Sequence, residues 1–279
     1  MTIERTELPN LLMLPTQLLL PHEDFDPRRV ERLERRIIEE AHLKNPPIIA
    51  AIPDSDHYVI LDGVNRTIAF LNLKIPHIVA QLVSYDDPGV KIDTWYHVVA
   101  GMAAAEFERT IVDVAGMHLR TSSLLEARAA MESHEAIAYI IMNKDVRIVY
   151  PSDISELHDL HILNSIVGAY KGKANIFRAS NDEWEKQEPF YPGITALVIF
   201  SPYEPRDIMT AVKNGVRIPS GVTRHIIPFR ALNINIPLDV LNSELSLKQK
   251  REWLHEWLME RMAANAIRFY AEPTFTFNE

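Results

Sequence analysis

The segment Tyr58-Val59-Ile60-Leu61-Asp62-Gly63-Val64-Asn65-Arg66 constrains the fold of this chain more than any other. Its first four residues are a short apolar run suited to a strand. Gly63 then permits a backbone geometry that residues with a Cβ resist. A helix follows almost at once, from about residue 65 to 71, with Ile68, Ala69 and Leu71 as core candidates. Such an abrupt strand-to-helix turn aims the free N–H groups of the first helical turn at one spot, and the helix dipole adds positive partial charge there. Spots of this kind hold anions. Arg66 stands in that first turn, where a carboxylate is the usual favoured neighbour, and its guanidinium is a bidentate donor for phosphate. A bound anion would account for it. The plainer alternative is a hairpin-to-helix connection in which Asp62 caps the helix and Arg66 lies on the surface.

Around this turn the chain reads as an α+β protein. Asp26-Pro27 is an N-cap followed by proline at the first helical position. Val30, Leu33, Ile37, Ile38 and Ala41 repeat at helical spacing, which predicts a helix over 27–43, stopped by Pro46-Pro47. The apolar runs 48–52 and 57–61 flank Pro53-Asp54-Ser55-Asp56 and form a hairpin signature. Further strands are expected at 77–83 and 90–95, and a helix over 103–114 closed by Gly116. Residues 117–122 read as a junction between a first domain, 1–116, and a second, 117–279. The second should hold helices near 123–133, 153–171, 205–213 and 246–264. Its strands fall near 136–142, 146–150, 175–179 and 194–200, with two more around a turn in 224–236 and a last one in 266–277.

Composition excludes several classes. The chain has no cysteine, so it carries neither a disulfide framework nor thiolate chemistry. Its first seven residues lack the basic start and apolar run of a signal peptide, and no apolar run approaches the roughly 20 residues of a membrane span. A cytoplasmic protein is expected. The net charge of -9 argues against nucleic acid as the main partner, since Lys and Arg are scattered among acids rather than clustered, although a local patch stays open. No His/Asp/Glu spacing suggests a transition-metal site, so His22, His97 and His225 read as supporting residues. Trp95 reads first as packing, and Trp253 with Trp257 as the packed face of the last helix.

Three further stretches carry a resemblance. They are Glu23 within Pro21-His22-Glu23-Asp24-Phe25-Asp26-Pro27, Pro47-Ile48-Ile49 on the hairpin, and Pro219-Ser220-Gly221-Val222-Thr223-Arg224-His225, with Leu232-Asn233 and Ile236-Pro237 beyond it. With Asp62-Gly63-Val64-Asn65-Arg66 and Asp93-Thr94-Trp95, they make residues 11–240 resemble the free L-serine kinases, a group with members in siderophore gene clusters and in archaea. The resemblance implies a ParB/sulfiredoxin-like N-terminal domain joined to a mixed α/β C-terminal domain that completes the site. It implies phosphoryl transfer from ATP or ADP, with Mg²⁺, to the hydroxyl of L-serine, giving O-phospho-L-serine for siderophore, cysteine or related synthesis.

By the same resemblance, Glu23 is the base toward the serine hydroxyl. Gly63, Val64, Asn65 and Arg66 hold the nucleotide phosphates, and Asp62 binds Mg²⁺ or polarises the hydroxyl. Thr223, Arg224 and His225 complete the nucleotide site, where the Thr223 hydroxyl and the Arg224 guanidinium bind either phosphate or the substrate carboxylate. The family usually has His where this chain has Asn65. Asn donates a hydrogen bond to phosphate but does not titrate. It suffices if the family His only touches phosphate, and not if that His moves a proton. The competing class is a ParB-like nucleotide-binding regulatory or DNA-binding protein without kinase activity. The acidic charge and the lack of a basic recognition helix speak against it. The oligomeric state, a homodimer included, is left open.

Overall fold

The computed structural model describes residues 8–143, 145–152 and 156–270. Two sheets organise it. The first has five strands in the order Leu11–Pro15, His77–Val83, Ile48–Ala51, Tyr58–Asp62, Leu19–Pro21. Ile48–Ala51 and Tyr58–Asp62 pair antiparallel, as the hairpin signature predicts, while Leu19–Pro21 lies parallel to Tyr58–Asp62. The second sheet has six antiparallel strands in the order Asn175–Ala179, Tyr96–Ala100, Ile194–Phe200, Ala138–Met142, Asp145–Pro151, Met117–Ser122.

One apolar core joins the two sheets. Ile48, Val59 and Leu61 of the first pack with Val99, Ala138, Val198 and Phe200 of the second, together with Ile166, Tyr170, Ile218 and Val222. The opposite face of the first sheet packs Met13, Ile49, Ile60 and Phe70 with Val30 and Ile37 of the helix Pro27–Glu40 and with Ile236, Leu241 and Leu254 from the end of the chain. The C-terminal helix Leu247–Ala263 therefore returns to the N-terminal sheet. Lys250 fixes this return: its fully buried ammonium donates to the Leu241 carbonyl at 2.7 Å and meets His77 Nδ1 at 3.1 Å.

Several expected elements differ. The helix from residue 27 stops at Glu40 because Ala41 turns left-handed (φ 54°), so the chain reverses before Pro46. Residues 117–122 are an edge strand rather than a junction; their alternation of half-buried and exposed positions is that of an edge, where a long apolar run is absent. The strand Tyr96–Ala100, in the same sheet, precedes the 116/117 division. Within 224–236 only Thr223–Ile226 and Ile236–Pro237 are extended. They pair with Lys91–Thr94 and His42–Leu43, not with each other. Phe229, Asn233 and Asn235, all at positive φ, interrupt the ladder between them. Residues 266–270 are not a strand, and 271–279 lie outside the described residues.

Candidate active site

Strand Tyr58–Asp62 delivers its polar end into a cleft of about 1010 Å³ between the two sheets. Gly63 caps the following helix, Val64–Asn72, at φ 96°, with no side-chain cap. Asp62 is thus not the cap that the plainer reading expected. The first-turn N–H groups of such a helix start are the donors that a bound anion would use. A Cβ on Gly63 would lie 2.9 Å from Arg66 Nη1 and 3.0 Å from Pro47 Cα, so glycine is required for both conformation and space. Arg66 donates to the Pro46 carbonyl at 3.1 Å and is half-buried against the turn. Asn65 accepts a hydrogen bond from the Asp26 backbone N–H at 2.9 Å. Asp26 in turn caps the helix Pro27–Glu40, so Asn65 ties two helix starts together.

Glu23 comes from the segment after strand Leu19–Pro21. The Ile218 N–H donates to His22 O at 2.8 Å, and Asp24 N–H to Ile218 O at 2.9 Å. This pairing carries the loop 219–223 onto the Glu23 carboxylate. Glu23 Oε2 accepts the Gly221 N–H at 3.1 Å, and Oε1 accepts the Thr223 N–H at 2.8 Å. The Thr223 hydroxyl is in short hydrogen-bond contact with the same Oε1 and lies 2.7 Å from His22 Nε2. His22 Nδ1 meets the Ile60 carbonyl at 2.5 Å. Burial lowers the His22 pKa below the usual imidazole value, opposed by the charges of Glu23 and Asp62 and the bond to Ile60.

Strand Thr223–Ile226 pairs with Lys91–Thr94, which sets Arg224 opposite Asp93. The Arg224 guanidinium sits 4.3 Å from the Trp95 ring centroid and 3.5 Å from Asp93 Oδ2. His225 packs edge-on to His22 at 5.1 Å, and its Nε2 meets the Tyr85 hydroxyl at 2.7 Å. Burial holds the His225 imidazole down to about 3, with the neighbouring His22 adding to the effect. His225 is thus neutral, a packed support at the cleft wall.

All nine residues singled out from the sequence, Glu23, Asp62, Gly63, Val64, Asn65, Arg66, Thr223, Arg224 and His225, line this one cleft, although they lie up to two hundred positions apart. The structure adds others that sequence reasoning missed. Arg230 is ion-paired with Asp62. Arg178 lies against Gly221, where a Cβ would meet its guanidinium at 2.9 Å. Lys171 and Arg29 complete the basic lining. Among the described residues, six cationic side chains and four carboxylates line the cleft, so an acidic protein concentrates positive charge at one place. Such a cleft suits a polyanion such as a nucleotide.

No protein-family model matches the chain. A search of curated proteins gives an ATP-dependent L-serine kinase, SbnI, from Staphylococcus aureus, 23% identical over 95% of this chain and 96% of that protein. The chain is similar to the free L-serine kinases. A second ATP-dependent L-serine kinase, from Staphylothermus marinus, is 24% identical over 82% of this chain and 90% of its own. The ADP-dependent L-serine kinase SerK of Thermococcus kodakarensis is 22% identical over 79% and 88%. Among solved structures, C-terminally truncated SbnI superposes with a TM-score of 0.74 at 22% identity, covering 90% of this chain and 97% of that one. A free serine kinase in complex with AMP gives 0.71 at 19%, covering 85% and 95%. The mixed α/β fold of this chain is therefore the fold of the serine kinase structures.

Proposed function

We propose that this chain is a free L-serine kinase, transferring a phosphoryl group from ATP or ADP to the hydroxyl of L-serine and releasing O-phospho-L-serine. The relatives named above support the reaction, since they match over 79% to 95% of this chain. The observation that carries it on this chain is one shared cleft. It sets the Glu23 carboxylate, a base, against the helix start at 63–66, an anion seat.

Phosphoryl transfer asks for positioning, charge neutralisation and an acceptor for the hydroxyl proton. Glu23 takes that proton. The N–H groups of the turn and Arg66 hold the donor phosphates, and Arg224 holds phosphate or the serine carboxylate. Thr223 reaches the substrate through Glu23, and His225 supports the wall. Asp62 is the carboxylate that directly precedes the anion seat on its strand. Among the described residues no cluster of three metal-ligating side chains exists, so an all-protein cage is not the arrangement here. One carboxylate together with substrate phosphates is how Mg²⁺ is usually held, and the donor set fits it. Bound there, Mg²⁺ would neutralise charge on the phosphates.

On the same reading, residues 1–116 form a ParB/sulfiredoxin-like nucleotide-binding part and 117–279 complete the site through Thr223, Arg224 and His225. The protein then works in the cytoplasm, and its product feeds siderophore or cysteine synthesis. No helix among the described residues is long and apolar enough to cross a membrane. Incubation with Mg²⁺, L-serine and either nucleotide tests the reading. Phosphoserine in the mass spectrum is the expected result, and its absence with both nucleotides would overturn the assignment.

A further inference from the structure

A second cavity, of about 310 Å³, opens between the C-terminal helix Leu247–Ala263, residues 266–269 and the loop 229–235. Its body is apolar: Leu11, Ile234 and Trp257 line it, with Phe229 and Phe269 stacked at 5.6 Å. Three arginines line it as well, Arg230, Arg261 and Arg268, and none of the described lining residues is an aspartate or glutamate. In a protein of net charge -9 this is a local excess of cations. Arg261 lies over the Trp257 ring at 5.0 Å, and Arg268 donates to the Ile267 carbonyl at 3.3 Å. An apolar body with a few convergent charged groups is the usual make-up of a small-molecule site, and this cavity has the size of one. The guanidinium groups select an anion, and the aromatic walls select an apolar body beside it.

Arg230 lines this cavity and the active-site cleft alike. Its backbone is clamped on both sides by Gln81, a buried residue of strand His77–Val83. Gln81 Nε2 donates to the Phe229 carbonyl at 3.1 Å, and Gln81 Oε1 accepts the Ala231 N–H at 2.8 Å. What can change partner is the Arg230 side chain, whose pairing with Asp62 is open to solvent. We propose that this second cavity is an effector site for a small organic carboxylate with an apolar body, and that the bound carboxylate draws Arg230 away from Asp62. The occupant and Asp62 then compete for one guanidinium. An occupied site leaves Asp62 open to Mg²⁺, so the effector and the metal favour each other's binding. That consequence for the metal rests on the kinase reading; the site itself does not.

The contrast with the active-site cleft fixes the class of ligand. The cleft mixes cations with carboxylates, which suits a metal-bound polyphosphate. The second cavity has no lining acid among the described residues to hold a metal, and its walls are largely hydrocarbon. A single negative charge on an apolar body matches it, and a nucleotide does not.

Calorimetric titration of the full chain with 1-naphthoate, and with naphthalene-1-methanol as its uncharged counterpart, tests the site. The acid should bind about tenfold more tightly than the alcohol or better. Arg261→Gln, at an exposed helix position, should weaken the acid by roughly tenfold. Leu232→Glu, which sets a carboxylate at a half-exposed lining position, should abolish its binding with Tm little changed. Neither substitution lies in the active-site cleft, so naphthoate held there would respond to neither. No saturable binding, equal affinity for acid and alcohol, or indifference to both substitutions would overturn the proposal. The competition for Arg230 is read in the same titration. Asp62→Asn should tighten naphthoate roughly two- to fivefold, the worth of an exposed ion pair. Arg230→Ala should weaken naphthoate and make Asp62→Asn silent. Affinity unmoved by Asp62→Asn and Arg230→Ala would overturn the coupling. In turnover, saturating naphthoate should lower the Mg²⁺ concentration for half-maximal phosphoserine formation in wild type and not in Arg230→Ala, and an unchanged requirement in wild type would overturn the link to the metal. A wild-type protein that forms no phosphoserine would instead remove the kinase reading, while the calorimetry still decides the site.

Discussion

The Arg230 guanidinium is ion-paired with the Asp62 carboxylate at the anion turn, across 168 positions of sequence. The two side chains are 40% and 43% exposed, so the pair is solvated and opens at small cost, about 0–1 kcal/mol. If Asp62 takes Mg²⁺ with the nucleotide, Arg230 is its competitor in the free enzyme. Arg230→Ala should then lower the Mg²⁺ concentration for half-maximal turnover by less than about tenfold. A titration of Mg²⁺ against initial rate checks this. A rise in the Mg²⁺ requirement would show that Arg230 helps bind the nucleotide rather than guarding Asp62.

Glu23 has a structural duty beside its chemical one, because it gathers the Gly221 and Thr223 N–H groups. Glu23→Ala removes both duties, whereas Glu23→Gln keeps a carbonyl acceptor in place. Glu23→Gln should therefore lower kcat by roughly 10²–10⁴ while nucleotide affinity, measured by calorimetry, stays close to wild type. Loss of nucleotide binding together with turnover would make Glu23 a purely structural residue.

Gly63→Ala should both destabilise the protein and weaken nucleotide binding. The new residue would sit at φ 96° with its Cβ 3.0 Å from Pro47 Cα, a backbone atom that cannot swing aside. A cost of about 1–3 kcal/mol is expected from the conformation alone, readable as a fall in Tm. An unchanged Tm would mean that the turn relaxes freely.

The turn at 61–66 was legible because its signals are local: an apolar run, Asp-Gly, and a helical pattern within nine residues. The hairpin 48–62 and the capped helix starting at Pro27 are local in the same sense. What could not be read is what closes on that turn. Arg230 and Arg178 meet the site through loops and edges whose positions depend on long-range pairing, such as Thr223–Ile226 on Lys91–Thr94. No period in the sequence encodes such a pairing. Glu23 and the loop 219–225 were drawn to the site by resemblance, not by spacing. The edge strand 117–122 was hidden because half its residues face solvent, and the positive-φ residues of 229–235 carry side chains that give no warning, except for asparagine.

Acid should unfold this protein early. Burial holds His97 and His225 down to about 3 and lowers His22, each from an ordinary value of 6.5. Imidazoles freed on unfolding bind protons that the folded state refuses, so the contribution of His97 and His225 is intact above pH 6.5 and is lost as pH falls toward 3, with His22 acting in the same direction. Each adds up to about 1.4 kcal/mol per pH unit in that window. A plot of Tm against pH should fall steeply below 6.5. His97→Asn, if it folds, should flatten the slope, and an unchanged slope would show that His97 is not one of the groups responsible.

The most direct test of the central claim is a phosphate balance followed by ³¹P NMR, with L-serine, Mg²⁺ and either ATP or ADP present. The account predicts one phosphoserine for each donor phosphate consumed, with wild-type protein and not with Glu23→Gln. Donor consumed to inorganic phosphate, or left intact, with no phosphoserine from either nucleotide, would contradict it.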